Sequence, residues 1–398
     1  MAQPHGERET SSDRRGPMAV TTVTALAIAA TLLALAFAPG FGVSSTGTFP
    51  GRLTDETSAL GPVFHPGVIL SGGSNSTTTF LGGVGVYSQT SGNSLPVFAA
   101  VTWGVSGVAV ENETARVQSY FVNGGVYAIG WNGSAWLIGG QRSPGNADNG
   151  SLIALSHGTV TNLTGQVARY FVGGGIWAVG WNGTSWLIGG NSSSSASLLA
   201  WDGGAVTDLS SRLVDHGLRP WIQMLLWNGA QWLVGGHGMF GLWTGPGYVD
   251  LFSSSPFQNG GVYSAAWNGT AWLVGGDGRE LVSVRGQNLS YATTLPPAFD
   301  RLALMITVTT AGWFIAGKGI GPGGSFAPEL AFWTGIPSAA PTDYSTALPA
   351  SFAGGDVQGG VPAPEFDPHG VLLVGVGSYD AATGYGVGAI VLLDPSSI

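Results

Sequence analysis

Cysteine is absent from this chain of 398 residues, and charged side chains make up only 9% of it. The lack of cysteine excludes disulfide bonds and thiol catalysis. Lysine occurs only at Lys318, and the formal net charge is −9. Proteins that bind nucleic acid normally carry a basic face, so this composition argues against a nucleic-acid partner.

Recognisable catalytic and nucleotide-binding motifs are also missing. Residues 312–319 read GWFIAGKG, which matches the first part of a phosphate-binding loop. Gly319 then occupies the place where such a loop needs Ser or Thr, and no helical pattern follows. The sequence has no Ser/His/Asp signature, and its six histidines lack metal-ligand spacing. We therefore expect no nucleotide, cofactor or metal site.

Long apolar runs are rare, and the only one able to cross a bilayer lies near the N-terminus. Residues 18–38, MAVTTVTALAIAATLLALAFA, are uncharged and long enough for a transmembrane helix. Arg14 and Arg15 precede this run, so the positive-inside rule predicts a cytoplasmic tail over residues 1–17 and an extracytoplasmic remainder. The alternative is a cleaved signal peptide, with small residues at 34–36 for cleavage, which would give a secreted protein.

Glycine and tryptophan are abundant, with 67 and 15 copies, and much of this content belongs to a repeat. Its first marker is a strand pattern, WLxGG, which begins at Trp136, Trp186, Trp232, Trp272 and Trp313, with decayed copies at Ile69 and Leu372. A second marker is an Asp or Asn that follows Thr in several copies: Asp55, Asn112, Asn162, Asp208, Asp250, Asn288 and Asp343. The two markers alternate along the chain, which predicts seven structural repeats.

One complete repeat can be read from residue 175. The pattern predicts four short strands, GIWAVGWNG, TSWLIGG, SLLAWDGG and AVTDLSS, with a type I′ hairpin at Asn182 and Gly183 between the first two. The first two strands are apolar on both faces, and the outer two are more polar. That gradient is typical of a β-propeller blade from its inner edge to its outer edge.

The repeats resemble those of seven-bladed β-propellers, the broad group that includes WD40, Kelch and Asp-box proteins. The resemblance covers residues 45–398 and implies an all-β fold of four-stranded antiparallel blades, but no subfamily motif is complete. The last repeat lacks a fourth strand, and residues 47–58 carry that pattern, so we expect the N-terminal strand to close the ring. A six-bladed ring is the alternative. Residues 74–94 are expected to be an insertion, and residues 347–364 a loop.

Charged residues concentrate on one predicted face of the ring. In a propeller, the connections between second and third strands and between blades share one face, here called the long-loop face. The Asn-Gly hairpins lie on the other, the Asn-Gly face. The candidate ligand-binding residues on the long-loop face are Arg142, Arg169, Arg212, Asp215, His216, Arg219, His237, Asp277, Arg279, Asp300, Arg301 and Lys318. Among the N-glycosylation sequons, those in predicted flexible loops are Asn75, Asn149 and Asn191.

These observations predict an extracytoplasmic binding or scaffolding module, tethered to the membrane through residues 18–38, that engages a protein or a glycan on its long-loop face. An alternative is a glycan hydrolase or lyase with carboxylates such as Asp215, Asp277 or Asp300 at the channel mouth. A third hypothesis is a component of a surface layer or an adhesion system.

Overall fold

The computed structural model describes residues 49–85, 95–104, 107–143, 148–214, 216, 220–245, 247–320, 326–353, 355–362, 370–379 and 386–394. The predicted tail and apolar run, residues 1–17 and 18–38, lie outside these ranges. Within the ranges, no helix is both long and apolar enough to cross a bilayer. Residues 48–398 form one compact unit.

The described residues form seven four-stranded antiparallel sheets, so the predicted seven-bladed all-β propeller is confirmed. From inner to outer strand, blades 1 to 4 are β2 (Gly67–Ser74), β3 (Thr79–Gly85), β4 (Pro96–Gly104), β5 (Gly107–Asn112); β6 (Gly125–Trp131), β7 (Trp136–Arg142), β8 (Asn149–Ser156), β9 (Thr159–Asn162); β10 (Gly175–Trp181), β11 (Trp186–Asn191), β12 (Ala196–Trp201), β13 (Val206–Asp208); and β14 (Trp221–Trp227), β15 (Trp232–His237), β16 (Met239–Trp243), β17 (Tyr248–Asp250).

Blades 5 to 7 are β18 (Val262–Trp267), β19 (Trp272–Gly276), β20 (Glu280–Arg285), β21 (Asn288–Thr294); β22 (Leu302–Val308), β23 (Trp313–Ile320), β24 (Phe326–Trp333), β25 (Thr342–Asp343); and β26 (Asp356–Pro362), β27 (Val371–Tyr379), β28 (Gly386–Asp394), β1 (Arg52–Asp55). Short helical turns join the blades: α1 (Thr114–Val117), α2 (Thr164–Val167) and 3-10 turns at Thr57–Leu60, Ala168–Tyr170, Ser210–Arg212, Phe252–Ser254, Ser345–Ala347 and Ala350–Phe352.

The outer strand of blade 7 comes from the N-terminal end of the propeller. β1 pairs antiparallel with β28, with Leu53 opposite Leu393 and Asp55 opposite Val391. Apolar residues of blades 1 and 7, among them Ile69 and Ile390, share one buried cluster. The first and last blades are therefore in contact through their cores.

Tryptophans of the WLxGG strands pack between blades. Trp186 lies so close to the inner strand of the preceding blade that a β carbon on Gly130 would be 2.9 Å from its ring. Trp232 has the same relation to Gly180, with a distance of 2.6 Å. Both tryptophans are buried, with 3% and 4% of their surface exposed. The repeated Trp is thus part of the core between sheets.

The predicted type I′ turn at Asn182 and Gly183 is wrong. Trp181 pairs with Trp186, which leaves a four-residue loop, and only Gly183 has a positive φ, +95°. The Asn182 side chain closes the loop, because its Oδ1 accepts hydrogen bonds from the backbone N–H groups of Thr184 (2.9 Å) and Ser185 (2.7 Å). Such an Asx turn satisfies backbone donors that a tighter hairpin would pair directly.

The same Asx turn corrects the expected insertion at residues 74–94. Asn75 Oδ1 accepts from the N–H groups of Thr77 and Thr78, both at 2.8 Å, in the hairpin between β2 and β3. Asn75 therefore belongs to a regular blade, and residues 86–94 lie outside the described ranges. The segment 347–364 was likewise expected to be a loop, yet β26 within it is the inner strand of blade 7.

The Asp/Asn marker at the end of outer strands is also an Asx turn. In Asp208, for example, Oδ1 accepts a hydrogen bond from the N–H of Ser210 at 2.9 Å, and the short helical turn begins there. Asn288 is the exception among the predicted markers, since it begins β21 and Tyr291 occupies the equivalent register opposite Val282. The marker predicted the number of blades, but its copy in blade 5 was misplaced.

Candidate ligand site at the mouth of the central channel

Each inner strand contains a β-bulge at the same level of its blade. In blade 3, for example, the pairing with β11 shifts between Ile176 and Ala178, so that Trp177 is the additional residue. The seven bulged residues line one central cavity of about 180 Å³. We call them the channel ring: Leu70, Tyr127, Trp177, Gln223, Tyr263, Leu304 and Gln358.

The glycine pair of each WLxGG strand accommodates this bulge. A β carbon on Gly190 would overlap the carbonyl oxygen of Gly175, which the bulge brings against β11. A β carbon on Gly189 would meet the side chain of Ile222 in the next blade at 2.5 Å. The second glycine thus permits the bulge, and the first permits close packing of the next blade.

Aromatic side chains of blades 2 to 4 lie next to one another, and two of them, Tyr127 and Trp177, line the channel. The rings of Tyr127 and Trp177 are stacked, with centroids 4.3 Å apart and an interplanar angle of 8°. Trp221, which begins β14, follows at 6.0 Å from Trp177, and His237 lies 5.6 Å from Trp221. These four rings form a continuous aromatic arc across blades 2 to 4.

A second layer of polar side chains holds the ring residues in place. It consists of the residues that directly follow the glycine pairs of blades 2 to 5, or Ala316 and Gly317 in blade 6, and is here called the collar: Gln141, Asn191, His237, Asp277 and Lys318. Trp177 Nε1 donates to Asn191 Oδ1 at 2.8 Å, and the Tyr263 hydroxyl donates to Asp277 Oδ2 at 3.0 Å. The Tyr127 hydroxyl lies 3.5 Å from Gln141 Oε1. In three blades, therefore, the collar residue orients the ring residue of its own blade.

Lys318 makes its contact across a blade boundary instead. Its ammonium group lies 2.8 Å from Oδ2 of Asp356, which begins the inner strand of blade 7. The Asp356 side chain is completely buried, and its Oδ1 accepts a hydrogen bond from Gln358 Nε2 at 2.7 Å. A ring residue of blade 7 is thus oriented by the blade 6 lysine through Asp356.

Gln223 differs from the other polar ring residues. Its Oε1 atom is buried and has no hydrogen-bond partner among the residues that the structure describes. The same holds for Trp221 Nε1 on this strand, and for the Nε1 atoms of Trp201 and Trp272 in other blades. Gln223 differs from these indoles because it lines the channel cavity. A buried acceptor beside a cavity requires an explanation, because nearly all such groups in folded proteins are paired.

The tyrosine hydroxyls of the ring remain neutral over a wide pH range. Burial raises the pKa of Tyr127 to about 12, and the Asp148 carboxylate adds to the rise. Burial also raises the pKa of Tyr263, with a further contribution from Asp277. Both hydroxyls can therefore donate and accept hydrogen bonds at neutral pH.

The candidate residues predicted from the sequence divide into two groups. His237, Asp277 and Lys318 belong to the collar and contact the aromatic arc or the ring through the pairs given above. The guanidinium of Arg169 lies 4.6 Å from the ring centroid of Tyr170, and that of Arg212 lies 5.9 Å from Trp243. Arg142, Arg279 and Arg301 belong to the same face, and Asp215 and Arg219 fall outside the described residues.

The remaining predicted side chains have local partners. His216 Nε2 lies 3.1 Å from Asp250 Oδ1, and Asp300 Oδ1 accepts the N–H of Ile320 at 2.8 Å. The Asp277 carboxylate accepts from the Gly261 N–H as well as from Tyr263. Within the described ranges, no group of three or more His, Asp or Glu side chains is arranged to hold a metal ion.

The sequons expected in flexible loops lie in ordered positions. Asn75 closes a hairpin, and Asn149 begins β8. Asn191 belongs to the collar, where its Nδ2 also donates to the carbonyl of Ser192 at 2.9 Å. Attachment of sugar at these residues stays a prediction.

The sequence reasoning missed the ring residues Tyr127, Trp177, Gln223, Tyr263 and Gln358. A signal was present, because the first four of these precede the Trp of a Trp-Asn-Gly tip by the same interval. Their identity varies from copy to copy while the flanking residues stay small or apolar. Variation at a fixed place in a regular repeat indicated a position that the fold leaves free.

A second cavity lies between blades 5 and 6 on the Asn-Gly face. It measures about 280 Å³, and its walls include Trp313, Trp333 and Ser283. Both indoles are buried, with 7% and 5% of their surface exposed. The crevice therefore exposes little of either aromatic ring, and the channel mouth remains the better candidate site.

Solved structures share the fold at low sequence identity. The WD40 domain of Neurospora crassa Pan2 aligns with a TM-score of 0.51 at 10% identity, over 86% of this chain and 94% of that domain. The phage phi92 endosialidase gives 0.47 at 10% identity, over 87% and 69% of the two chains. A putative 6-phosphogluconolactonase from Bacteroides fragilis gives 0.42 at 12%, over 79% and 94%.

At these identities the likeness concerns the propeller fold alone. No protein-family model matches the chain, and no curated protein matches it.

Proposed function

We propose that this chain is a binding module displayed outside the cytoplasm, tethered to the membrane by residues 18–38, whose ligand enters the central channel from the long-loop face. The observation that carries this proposal is the channel ring, in which each blade contributes one bulged side chain to the same cavity. This repeated position holds side chains of different chemistry in different blades, which is more consistent with recognition of a ligand than with packing between blades.

The contacts of the carboxylates are more consistent with a binding protein than with a hydrolase. Asp277 and Asp356, next to the ring, already accept hydrogen bonds or an ion pair from the protein. Asp300, the other described carboxylate of the enzymatic alternative, holds the backbone of Ile320. These carboxylates have structural partners, so we propose a binding role.

The tether can be tested in intact cells that express the full chain. We expect external protease to digest the propeller, and the protein to stay with the membrane after an alkaline wash. A propeller that resists protease until the cells are lysed would contradict export. Release into the medium would show that residues 18–38 are cleaved, and the protein would then be secreted.

The place of ligand entry can be tested with a photo-crosslinking amino acid at one of two positions. Leu304 lies in the channel ring, whereas Gln287 is exposed at the turn between β20 and β21 on the Asn-Gly face. We expect light-dependent adducts with extracytoplasmic material at position 304 and none at position 287. Adducts at 287 alone, or at neither position, would contradict a ligand in the channel.

A further inference from the structure

One side-chain amide of the channel ring has a carbonyl oxygen that accepts no hydrogen bond from the described residues. The polar atoms of Tyr127, Trp177 and Tyr263 have collar partners, and Gln358 donates to Asp356. Gln223 Oε1 alone among these ring positions is buried without a hydrogen-bond partner in the described part of the chain. An unpaired buried carbonyl is unfavourable, so a ligand donor at this point would stabilise both the site and the complex.

Tyrosine hydroxyls supply further acceptors beside this amide. Tyr127 and Tyr263 line the same cavity as Gln223, and each hydroxyl that donates to its collar partner keeps a lone pair for a ligand. A hydroxyl is the simplest uncharged group that donates one hydrogen bond and accepts another. These acceptors therefore favour a ligand that carries hydroxyl groups.

The electrostatics of the site disfavour an anionic ligand. All seven ring residues are uncharged, Lys318 is paired with Asp356 at 2.8 Å, and the Asp277 carboxylate accepts hydrogen bonds from Gly261 and Tyr263. An anionic ligand group would lose its hydration here without gaining a free cation, and it would lie near the negative charge of Asp277. The arginines of the long-loop face contribute none of the cavity's lining residues.

The shape and the apolar lining narrow the choice further. The cavity of about 180 Å³ adjoins a second space of about 260 Å³ in the channel, and Leu70, Tyr127, Trp177 and Gln223 line both. Leu70, Leu304 and the rings of Tyr127 and Trp177 offer apolar surface beside the amides. A sugar ring combines hydroxyl groups at its rim with apolar C–H faces, and the two adjoining spaces suit one end of a chain.

Resting on the proposed function, we infer that the ligand of the channel ring is an uncharged saccharide, bound by one end of its chain, with Gln223 as a direct contact. The test uses the full chain in detergent on an array of neutral gluco-, galacto-, manno- and xylo-oligosaccharides. Matched chains ending in uronic or sialic acid and a set of short peptides are placed beside them. We expect binding to at least one neutral chain and weaker or no binding to its acidic counterpart.

Gln223→Met keeps the length of the side chain and removes both hydrogen-bonding groups. We expect it to weaken binding of the neutral chain about tenfold, as the loss of a ligand hydrogen bond would. Gln287→Met makes the same change at an exposed position on the opposite face, so its affinity should equal that of the wild type. Equal urea unfolding midpoints for the three proteins would show that the fold is intact.

Several results would overturn the inference: an array without signal, a preference for acidic chains, or neutral binding that Gln223→Met leaves unchanged. Peptide binding that is sensitive to Gln223→Met would reject the saccharide while supporting a ligand in the channel. If adducts form at position 304 but no oligosaccharide on the array binds, the saccharide inference is wrong and the proposed binding module is not. The channel would then hold a ligand of another class.

Discussion

The ammonium group of Lys318 lies 2.8 Å from the Oδ2 atom of Asp356, and this ion pair joins the second strand of blade 6 to the inner strand of blade 7. The carboxylate side chain is fully buried and the lysine side chain is 16% exposed. The only lysine of the chain is thus used at a blade boundary beside the channel.

Loss of the lysine should destabilise the propeller strongly. Lys318→Met leaves the buried Asp356 carboxylate without its counter-ion, and breaking a buried pair from one side costs about 3–5 kcal/mol. Urea unfolding of the full chain measures the effect. Arg285→Met removes an exposed cation from the Asn-Gly face and should stay within about 0.5 kcal/mol of the wild type. Equal effects of the two substitutions would show that the pair contributes little.

The glycine pair should not tolerate a methyl group at its second position. Gly190→Ala would place a β carbon on the carbonyl oxygen of Gly175, and relief of such an overlap costs roughly 1–3 kcal/mol. Gly165→Ala, in α2, is the matched control because nothing lies within 4 Å of the added carbon. Thermal unfolding should rank Gly190→Ala well below Gly165→Ala. A reversed order would contradict the role given to the bulge.

The Asx turns predict different effects for two substitutions at one residue. Asn182→Ala removes the acceptor for the N–H groups of Thr184 and Ser185, and loss of a comparable capping side chain costs about 0.5–2 kcal/mol. Asn182→Asp retains an oxygen in the same place and should keep most of the stability. If both variants unfold at the same denaturant concentration, the side chain does not stabilise the turn.

Stability should fall at high pH through the ring tyrosines. An unfolded tyrosine ionises near pH 10, whereas burial raises the pKa of Tyr127 to about 12. Because the folded-state pKa lies above the unfolded one, the contribution of Tyr127 is complete below about pH 10 and is lost as the pH rises towards 12. Tyr127→Phe should show a shallower decline of the unfolding midpoint across that interval. Parallel curves for variant and wild type would contradict the assignment.

The architecture could be predicted from the sequence because its signals repeat. The WLxGG strands alternate along the chain with the Asp or Asn markers: indoles of the first pack against the neighbouring sheet, and side chains of the second close turns. The errors concerned single turns and strands. Asn182 closes a four-residue loop where a two-residue turn was expected, and Asn288 resembles the marker in sequence but begins a strand.

The candidate site was only partly predictable. Three members of the collar, His237, Asp277 and Lys318, were among the predicted residues, because charged and titratable side chains are conspicuous in a chain that has few of them. The channel ring was not predicted. Within the sequence of one strand, Trp177 resembles a core residue and Gln223 resembles a surface residue. No property of a single repeat shows that the pairing register shifts by one residue at that point.

The number of blades and the all-β class could be predicted from the amino-acid sequence alone, because both show as a regular repeat along the chain. Which side chains meet across the blades depends on the tertiary structure. Tyr127 and Trp177 belong to different blades, as do Lys318 and Asp356, and they come into contact because the ring brings seven inner strands around one axis. Contacts between sheets leave a repeated pattern where every blade uses the same residue types, as with the WLxGG indoles, but not where the paired residues differ from blade to blade.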